Sequence, residues 1–497
     1  MRAIIALLAA VVTLAAGSAR AEIRLPDIGS PADAVLPRTE EARLGRSIMR
    51  EIRRQGVIVE DPEITEYIQG IGHRLAAHAN DGDYEFHFFV VDDPSINAFA
   101  LPGGYIGIHT GLIEATRNEN ELAGVVAHEI AHVTKRHIAR AVHANQRASL
   151  INLATMLGAI LAAAAADAGG EGVEAAVMTG QALAVQNQID FTRANEYEAD
   201  RFGVQIMAAA GFDPNGMADF FSVMSRVAGP SAARVPEFLR THPVTSARIA
   251  ETRGRARGYR GIESEDSIGY GIAKVRLAAL RKSRDGLALP VDHDQLDDPL
   301  SHYSRALAMI ADDRPFDARP ILEALVRKHP EVIAFRIALG EAEAKDDDRA
   351  AAIETLADAA ALFPRNVPLS VTYAEILIDA GEPTTAHNVL LDLFNNVPPT
   401  LDQVRLITEA AIEAGEVAEA HYYQSEYNIM LGDLVGSITM LRRALALPDV
   451  TPIQVARFEA RIELVSQYLT EEQRRFLERR RREQQDPTRG RSFATRS

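Results

Sequence analysis

The chain contains no cysteine and no tryptophan, and aromatic residues make up only 6% of its 497 positions. Without cysteine there is no disulfide framework, no thiol nucleophile and no thiolate ligand. Any metal site must therefore use His, Asp or Glu. No cysteine follows the N-terminal segment to carry a lipid. Scarce aromatics argue against a β-sandwich and for a helical protein rich in Ala and Leu. Positive charge is also short: 53 Lys and Arg stand against 69 Asp and Glu, a formal net charge of -16. That balance argues against nucleic acid as a general partner. What remains is 47% hydrophobic, ample for large cores. The length suggests more than one domain at roughly 100–200 residues each.

The N-terminus, "MRAIIALLAAVVTLAAGSARAEIR", has the parts of a secretory signal. Arg2 is a minimal positive region, Ile4 to Ala16 is apolar but short for a membrane span, and Ala19-Arg20-Ala21 is a cleavage site. The mature chain is expected to begin at Glu22, the alternative being an uncleaved anchor. Residues 22–38 are dotted with proline. Helical periodicity covers 39–55 and 61–79, and "YEFHFFVV" (84–91) reads as a strand. "NAFALPGGYIGIHTGL" (97–112) reads as an extended segment, a Pro-Gly-Gly turn and a second strand. Asn118 can cap the next helix, with Glu121 where a capping-box acid sits. Residues 148–166 carry no charge and are rich in alanine. Their length allows a membrane span, but their weak hydrophobicity favours a buried or interfacial helical hairpin. A further helix is expected from about 173 to 210, stopped by Gly211, and Pro214 opens the next.

Beyond about 260 a period appears. Pro330, Pro364 and Pro398 are 34 residues apart, as are Ala318, Ala352, Ala386 and Ala420, and Asp347, Gly381 and Gly415. A 34-residue helical repeat with a small residue at a fixed packing position is the tetratricopeptide pattern. After Ala420 the register breaks, and one more helix pair follows, displaced by half a repeat. The last stretch, "RRFLERRRREQQDPTRGRSFATRS", is dense in arginine. It reads as a solvated helix end and tail, or as a tether to an acidic surface.

The chemistry sits in "VVAHEIAHVTKRH", residues 125–137. His128 and His132 are four apart, about 400° of helical rotation, so both imidazoles share a face and can share a Zn²⁺ ion. Glu129 is rotated about 100° from His128 and can reach water rather than the ion. This is the H-E-x-x-H arrangement of metalloproteases. His137 is nine residues past His128, roughly half a turn away if the helix continues. It is expected to point elsewhere, and His143 has no assigned role. In "RANEYEADRFG" (193–203), Glu196 and Asp200 again share a helical face. Glu196 can complete a His₂Glu site with an open fourth position. Asp200 can accept the spare ring N–H of a ligand histidine. Glu198 reads as a surface acid.

H-E-x-x-H followed by E-x-x-x-D is similar to the gluzincin metallopeptidases. "HEIAHVTKRH" with "NEYEADRFG" resembles the family of HtpX and the CAAX prenyl proteases, over roughly residues 40–255. A signal peptide, no clear membrane helices and C-terminal repeats resemble its periplasmic branch. The resemblance implies an α+β, mostly helical chain: a zinc peptidase domain with a small antiparallel sheet, followed by a tetratricopeptide solenoid. The expected divisions are signal 1–21, peptidase 22–260, connector 261–295, repeats 296–470 and basic tail 471–497. It implies one zinc per chain and an edge strand at Asn97, Ala98 and Phe99 beside which an extended substrate pairs. It makes His242, in "RTHPVTSARI", either an oxyanion donor or an occupant of the open metal position. Arg248 is implied as a support of the oxyanion at the same site. The expected activity is a periplasmic endopeptidase. Its implied partners are unfolded or misassembled envelope proteins, outer-membrane β-barrels among them, and the β-barrel assembly machinery through the repeats. Peripheral membrane contact stays open. The competing reading is a chaperone-like repeat scaffold with a latent metal site.

Overall fold

Local signals set where the first elements begin. In the computed structural model Asp61 accepts hydrogen bonds from the amides of Glu63 and Ile64 and Pro62 sits in the first turn, so a helix starts there. The structure describes residues 31–79, 84–144, 193–228, 236–259, 261–262, 264–285 and 298–485. The expected signal peptide, the apolar stretch 148–166, the first part of the helix expected from 173 and the tail beyond 485 lie outside the described residues. Helices α1 (Arg38–Gln55) and α2 (Pro62–Ala76) precede strands β1 (His87–Val91), β2 (Ala98–Leu101) and β3 (Tyr105–His109).

The sheet is ordered β1-β3-β2, with β1 parallel and β2 antiparallel to β3. It is therefore mixed, where an antiparallel sheet was expected. The reason lies in residues 92–97, which are not a hairpin turn. The carbonyl of Asp93 accepts from Gly111 N at 3.0 Å and Thr110 Oγ1 at 2.8 Å. That ties the end of β1 to the end of β3 and sends β2 to the outer edge. The hairpin between β2 and β3 closes through Gly104, at φ 87°, where a Cβ would lie 2.4 Å from Glu85 O.

After the short α3 (Thr110–Ala115) comes α4 (Glu119–Thr134), buried from Glu119 to Val133. Asn118 caps it, accepting from Glu121 N at 3.0 Å. The Glu121 carboxylate reaches one residue further back than a capping box, to Arg117 N at 2.8 Å. α6 (Arg193–Ala209) packs on α4 through Gly203, where a Cβ would meet Met217 Cε at 2.5 Å and His128 N at 3.3 Å. That close approach sets the acids of α6 opposite the histidines of α4. Between them lies α5 (His137–Ala144), and α7 (Asn215–Ala228), α8 (Glu237–Thr241) and α9 (Ser246–Ala256) close the core.

α10 (Ile268–Asp285) joins this core to the helical remainder. Tyr270 and Leu277 belong to this core, while Ile272 packs with Tyr303 and Phe335 of the next. Helix hairpins then follow: α11 and α12 (Pro299–Ala311, Pro315–Lys328), α13 and α14 (Ile333–Lys345, Arg349–Leu362), α15 and α16 (Val367–Asp379, Pro383–Phe394), and α17 and α18 (Leu401–Glu413, Val417–Leu431). Ala318, Ala352, Ala386 and Ala420 are all buried. The turn inside each hairpin takes positive φ at Asp313, Asp347, Gly381 and Gly415, again 34 apart. The break in register has a cause: Gly432, at φ 83°, makes another turn of this type between α18 and α19 (Leu434–Leu445). α18 thus ends one hairpin and begins the next. α20 (Pro452–Ser466) and α21 (Glu471–Gln485) complete the chain as described, and no helix among the described residues is long and apolar enough to cross a membrane.

Candidate metal centre

Four buried side chains converge: His128 and His132 from α4, Glu196 from α6 and His242 from the end of α8. His128 Nε2 lies 3.0 Å from His132 Nε2, 3.3 Å from His242 Nδ1 and 3.5 Å from Glu196 Oε2. Glu196 Oε1 lies 3.5 Å from His132 Nε2 and 3.2 Å from His242 Nδ1. Donor atoms tetrahedrally placed around an ion at about 2.05 Å stand about 3.3 Å apart. The observed separations bracket that value, so the cluster fits a tetrahedral zinc ion.

Glu129 is turned away from this set, as its place on the helix requires. Its Oε1 is buried without a hydrogen-bond partner and lies 3.5 Å from His242 Nε2. An unpartnered buried carboxylate oxygen costs free energy. Burial holds the Glu129 carboxyl above its usual range, against the pull of His242 and His128, while the Ala100 amide hydrogen-bonds to it. A carboxyl raised by burial beside a metal centre suits a proton acceptor working near neutral pH.

The sequence profile of peptidase family M48 matches residues 62–256. The putative β-barrel assembly-enhancing protease of Vibrio cholerae is 34% identical over 451 residues, covering 89% of this chain and 92% of the relative. The chain belongs to peptidase family M48. The β-barrel assembly-enhancing protease of Escherichia coli K12 is 32% identical over 458 residues, covering 89% of this chain and 91% of its own. The mitochondrial metalloendopeptidase OMA1 of Schizosaccharomyces pombe is 32% identical over 185 residues, 37% of this chain and 51% of that protein. This M48 chain is a zinc-dependent metalloendopeptidase, and its buried cluster is the group able to hold the ion.

Around the cluster of this M48 peptidase the structure arranges a second layer. Asp200 Oδ1 lies 3.0 Å from His128 Nδ1, within reach of its ring N–H. Arg248, buried, donates from Nε and Nη2 to both oxygens of Asp200 at 2.8 Å and from Nη1 to Pro243 O at 2.8 Å, and Nη1 pairs with Glu196 Oε2 at 2.9 Å. Its donors are directed at Asp200, behind His128, and at the ligand Glu196 itself rather than toward a substrate carbonyl, which departs from the expected oxyanion support. Burial opposes ionisation of Glu196, but His242, His128 and His132 hold its carboxyl well below the usual range.

His137 departs from its expected direction. It is fully buried, with Nδ1 2.9 Å from His132 Nδ1 and Nε2 3.2 Å from Glu198 Oε2. Half a turn of separation holds only on a continuous helix, but α4 ends at Thr134 and Arg136 turns at φ 54°. Neither Gly nor Pro marks that break. Arg136 bears an αL cost of roughly 1–2 kcal/mol, held by a buried guanidinium that donates to Leu36 O at 2.7 Å and pairs with Asp33 and Glu41. Burial lowers His137 to about 4 despite Glu198, so it is neutral at neutral pH. Glu198, read as a surface acid, pairs with Arg140 Nη1 at 2.7 Å.

β2 is an edge strand. Asn97 is buried and its carbonyl accepts from His109 N at 3.0 Å, so Asn97 and Phe99 spend their backbone groups on β3. By alternation it is Ala98 and Ala100 whose backbone groups point off the sheet. Of the three expected residues, only Ala98 offers them. α8, which carries His242, is tied to the entry of this strand: Phe238 N donates to Ile96 O at 3.1 Å.

Proposed function

We propose that this chain is a periplasmic endopeptidase that hydrolyses misfolded or stalled envelope proteins, outer-membrane β-barrel proteins among them. The catalytic part is residues 22–260, sent out by the signal at 1–21. Tetratricopeptide repeats within 296–470 recruit substrate or the β-barrel assembly machinery. The observation that carries this reading is likeness over nine-tenths of the chain to relatives named β-barrel assembly-enhancing proteases, together with the buried cluster.

His128, His132 and Glu196 hold the ion. Zinc, when bound, supplies a Lewis acid that acidifies water and polarises a carbonyl. Glu129 accepts the proton of the attacking water at its free Oε1 and delivers it to the leaving amine nitrogen. Ala98 offers its outward amide and carbonyl, and Ala100 its carbonyl, to an extended substrate, which then adds as a strand. Unpaired edges of stalled β-barrels suit that mode of recognition. Asp200 and Arg248 orient the ligands from behind.

His242 Nδ1 stands at ligand distance from the others, which supports its role as a fourth ligand that closes the site at rest. The same contact supports the second reading, a chaperone-like scaffold with a latent site. Metal analysis together with digestion of a denatured outer-membrane protein separates them. The endopeptidase reading expects about one zinc per chain and cleavage that Glu129→Gln abolishes. Zinc with no cleavage by the wild type, even after His242→Ala, would leave only the scaffold.

A further inference from the structure

His132 has two ring nitrogens, and only Nε2 faces the ligand cluster. A neutral imidazole that offers Nε2 as a lone pair carries its proton on Nδ1. Against that nitrogen, at 2.9 Å, lies Nδ1 of His137, with the two rings edge to face. A hydrogen bond between two Nδ1 atoms requires one donor and one acceptor. His137 must therefore accept at Nδ1 and carry its own proton on Nε2. That proton has a partner in Glu198 Oε2, 3.2 Å away, and the same oxygen accepts from Arg140 Nη1 at 2.7 Å. The polarity runs one way, from the half-exposed Arg140–Glu198 pair through two buried imidazoles to the metal cluster.

We propose that His137 is a positioning residue for the zinc: it accepts the Nδ1 proton of His132, fixing that ring's tautomer and orientation, while Glu198 and Arg140 lock His137 in the accepting form. This rests on His132 being a ligand. The two ligand histidines of α4 are then supported differently. His128 has a carboxylate, Asp200, beside its Nδ1, whereas His132 leans on a neutral ring and meets a carboxylate only at one remove. The support of His132 therefore ends near the surface, that of His128 in the interior.

The test is zinc affinity of the full chain, read by competition with a chromogenic chelator. His137→Phe keeps the ring's bulk and removes the acceptor, while His137→Asn returns an acceptor close to where Nδ1 sat. Loss of an outer-layer partner costs ~10- to 100-fold in metal affinity, and that is expected for His137→Phe, with His137→Asn recovering to within about threefold of wild type. Affinity unchanged in His137→Phe overturns the proposal, and so does His137→Asn binding as weakly as His137→Phe, which would mean packing alone. His132→Ala is the control: if it binds zinc like wild type, the ligand reading falls and this proposal with it. Should His137→Phe fail to fold, Glu198→Ala reads the same relay from its partly exposed end. A several-fold loss supports it, and unchanged affinity overturns it.

Discussion

Glu129 and His242 face each other across 3.5 Å and separate two functions of one site. Glu129→Gln keeps shape and neutralises a carboxyl that ligates nothing. It should retain zinc and lose peptide hydrolysis by roughly 10²- to 10⁴-fold, the usual worth of a general base. Residual cleavage near wild type, by gel assay of an unfolded substrate, would remove Glu129 from the mechanism. His242→Ala opens the ligand set, so cleavage should rise several-fold or more. A fall would instead assign His242 to the oxyanion. At this scale the sequence was legible wherever a regular helix did the arranging. His128, Glu129, His132, Glu196 and Asp200 lie where helical rotation puts them. His137 lies elsewhere because the helix ends at Thr134, three residues earlier, at a break compensated by the distant residues Leu36 and Glu41. No local signal announces such a compensation.

Elements repeat the lesson with different residues. The 34-residue period was legible because identical packing demands identical small residues, and Ala318, Ala352, Ala386 and Ala420 all turned out buried. Asp313 extends the same series of turns one step before Asp347, since a left-handed position accepts Asp as well as Gly. This gives a prediction. Gly381 sits at φ 81° with nothing within 4 Å of a would-be Cβ, so substitution there meets only backbone strain. Gly381→Val should destabilise the chain by about 1–2 kcal/mol and Gly381→Asn by less than about 1 kcal/mol, read from urea unfolding. Equal losses would show that side-chain contact decides instead. The sheet was less legible. Strand positions follow from composition, but the parallel pairing of β1 with β3 depends on the carbonyl of Asp93 meeting Gly111 and Thr110, contacts that no strand pattern encodes.

Across the whole molecule, peptidase and helical hairpins are joined by polar contacts as well as by apolar packing. Arg276 of α10 reaches Asp61 with Nη2 at 2.7 Å and pairs with Glu63, and its Nη1 lies 3.4 Å from Tyr303 Oη of the first hairpin. Two acids share one cation here. Burial pushes the Glu63 carboxyl up to about 8, with Arg276 pulling against it and Asp61 adding to the rise. The unfolded chain gives up that proton near 4.5. Between the two values the folded state binds more protons, so this contribution is full below about pH 4.5 and is lost as pH rises through about 8. Unfolding midpoints of the wild type should therefore fall over that interval relative to Glu63→Gln, whose amide does not titrate. Parallel curves would rule out Glu63 as the source.

α10 also governs how the molecule divides. Two of its residues, Tyr270 and Leu277, fill the peptidase core, and Tyr270 Oη shares a hydrogen bond with Thr116 Oγ1 at 2.9 Å. A peptidase fragment cut at residue 260 would open a hole where those side chains sit. One that runs through residue 285 would keep them but bare Ile272, whose neighbours Tyr303 and Phe335 come later in the chain. Neither cut leaves a finished surface, so an enzyme shortened to its catalytic part has to be resurfaced at α10 before its activity can be compared with that of the whole.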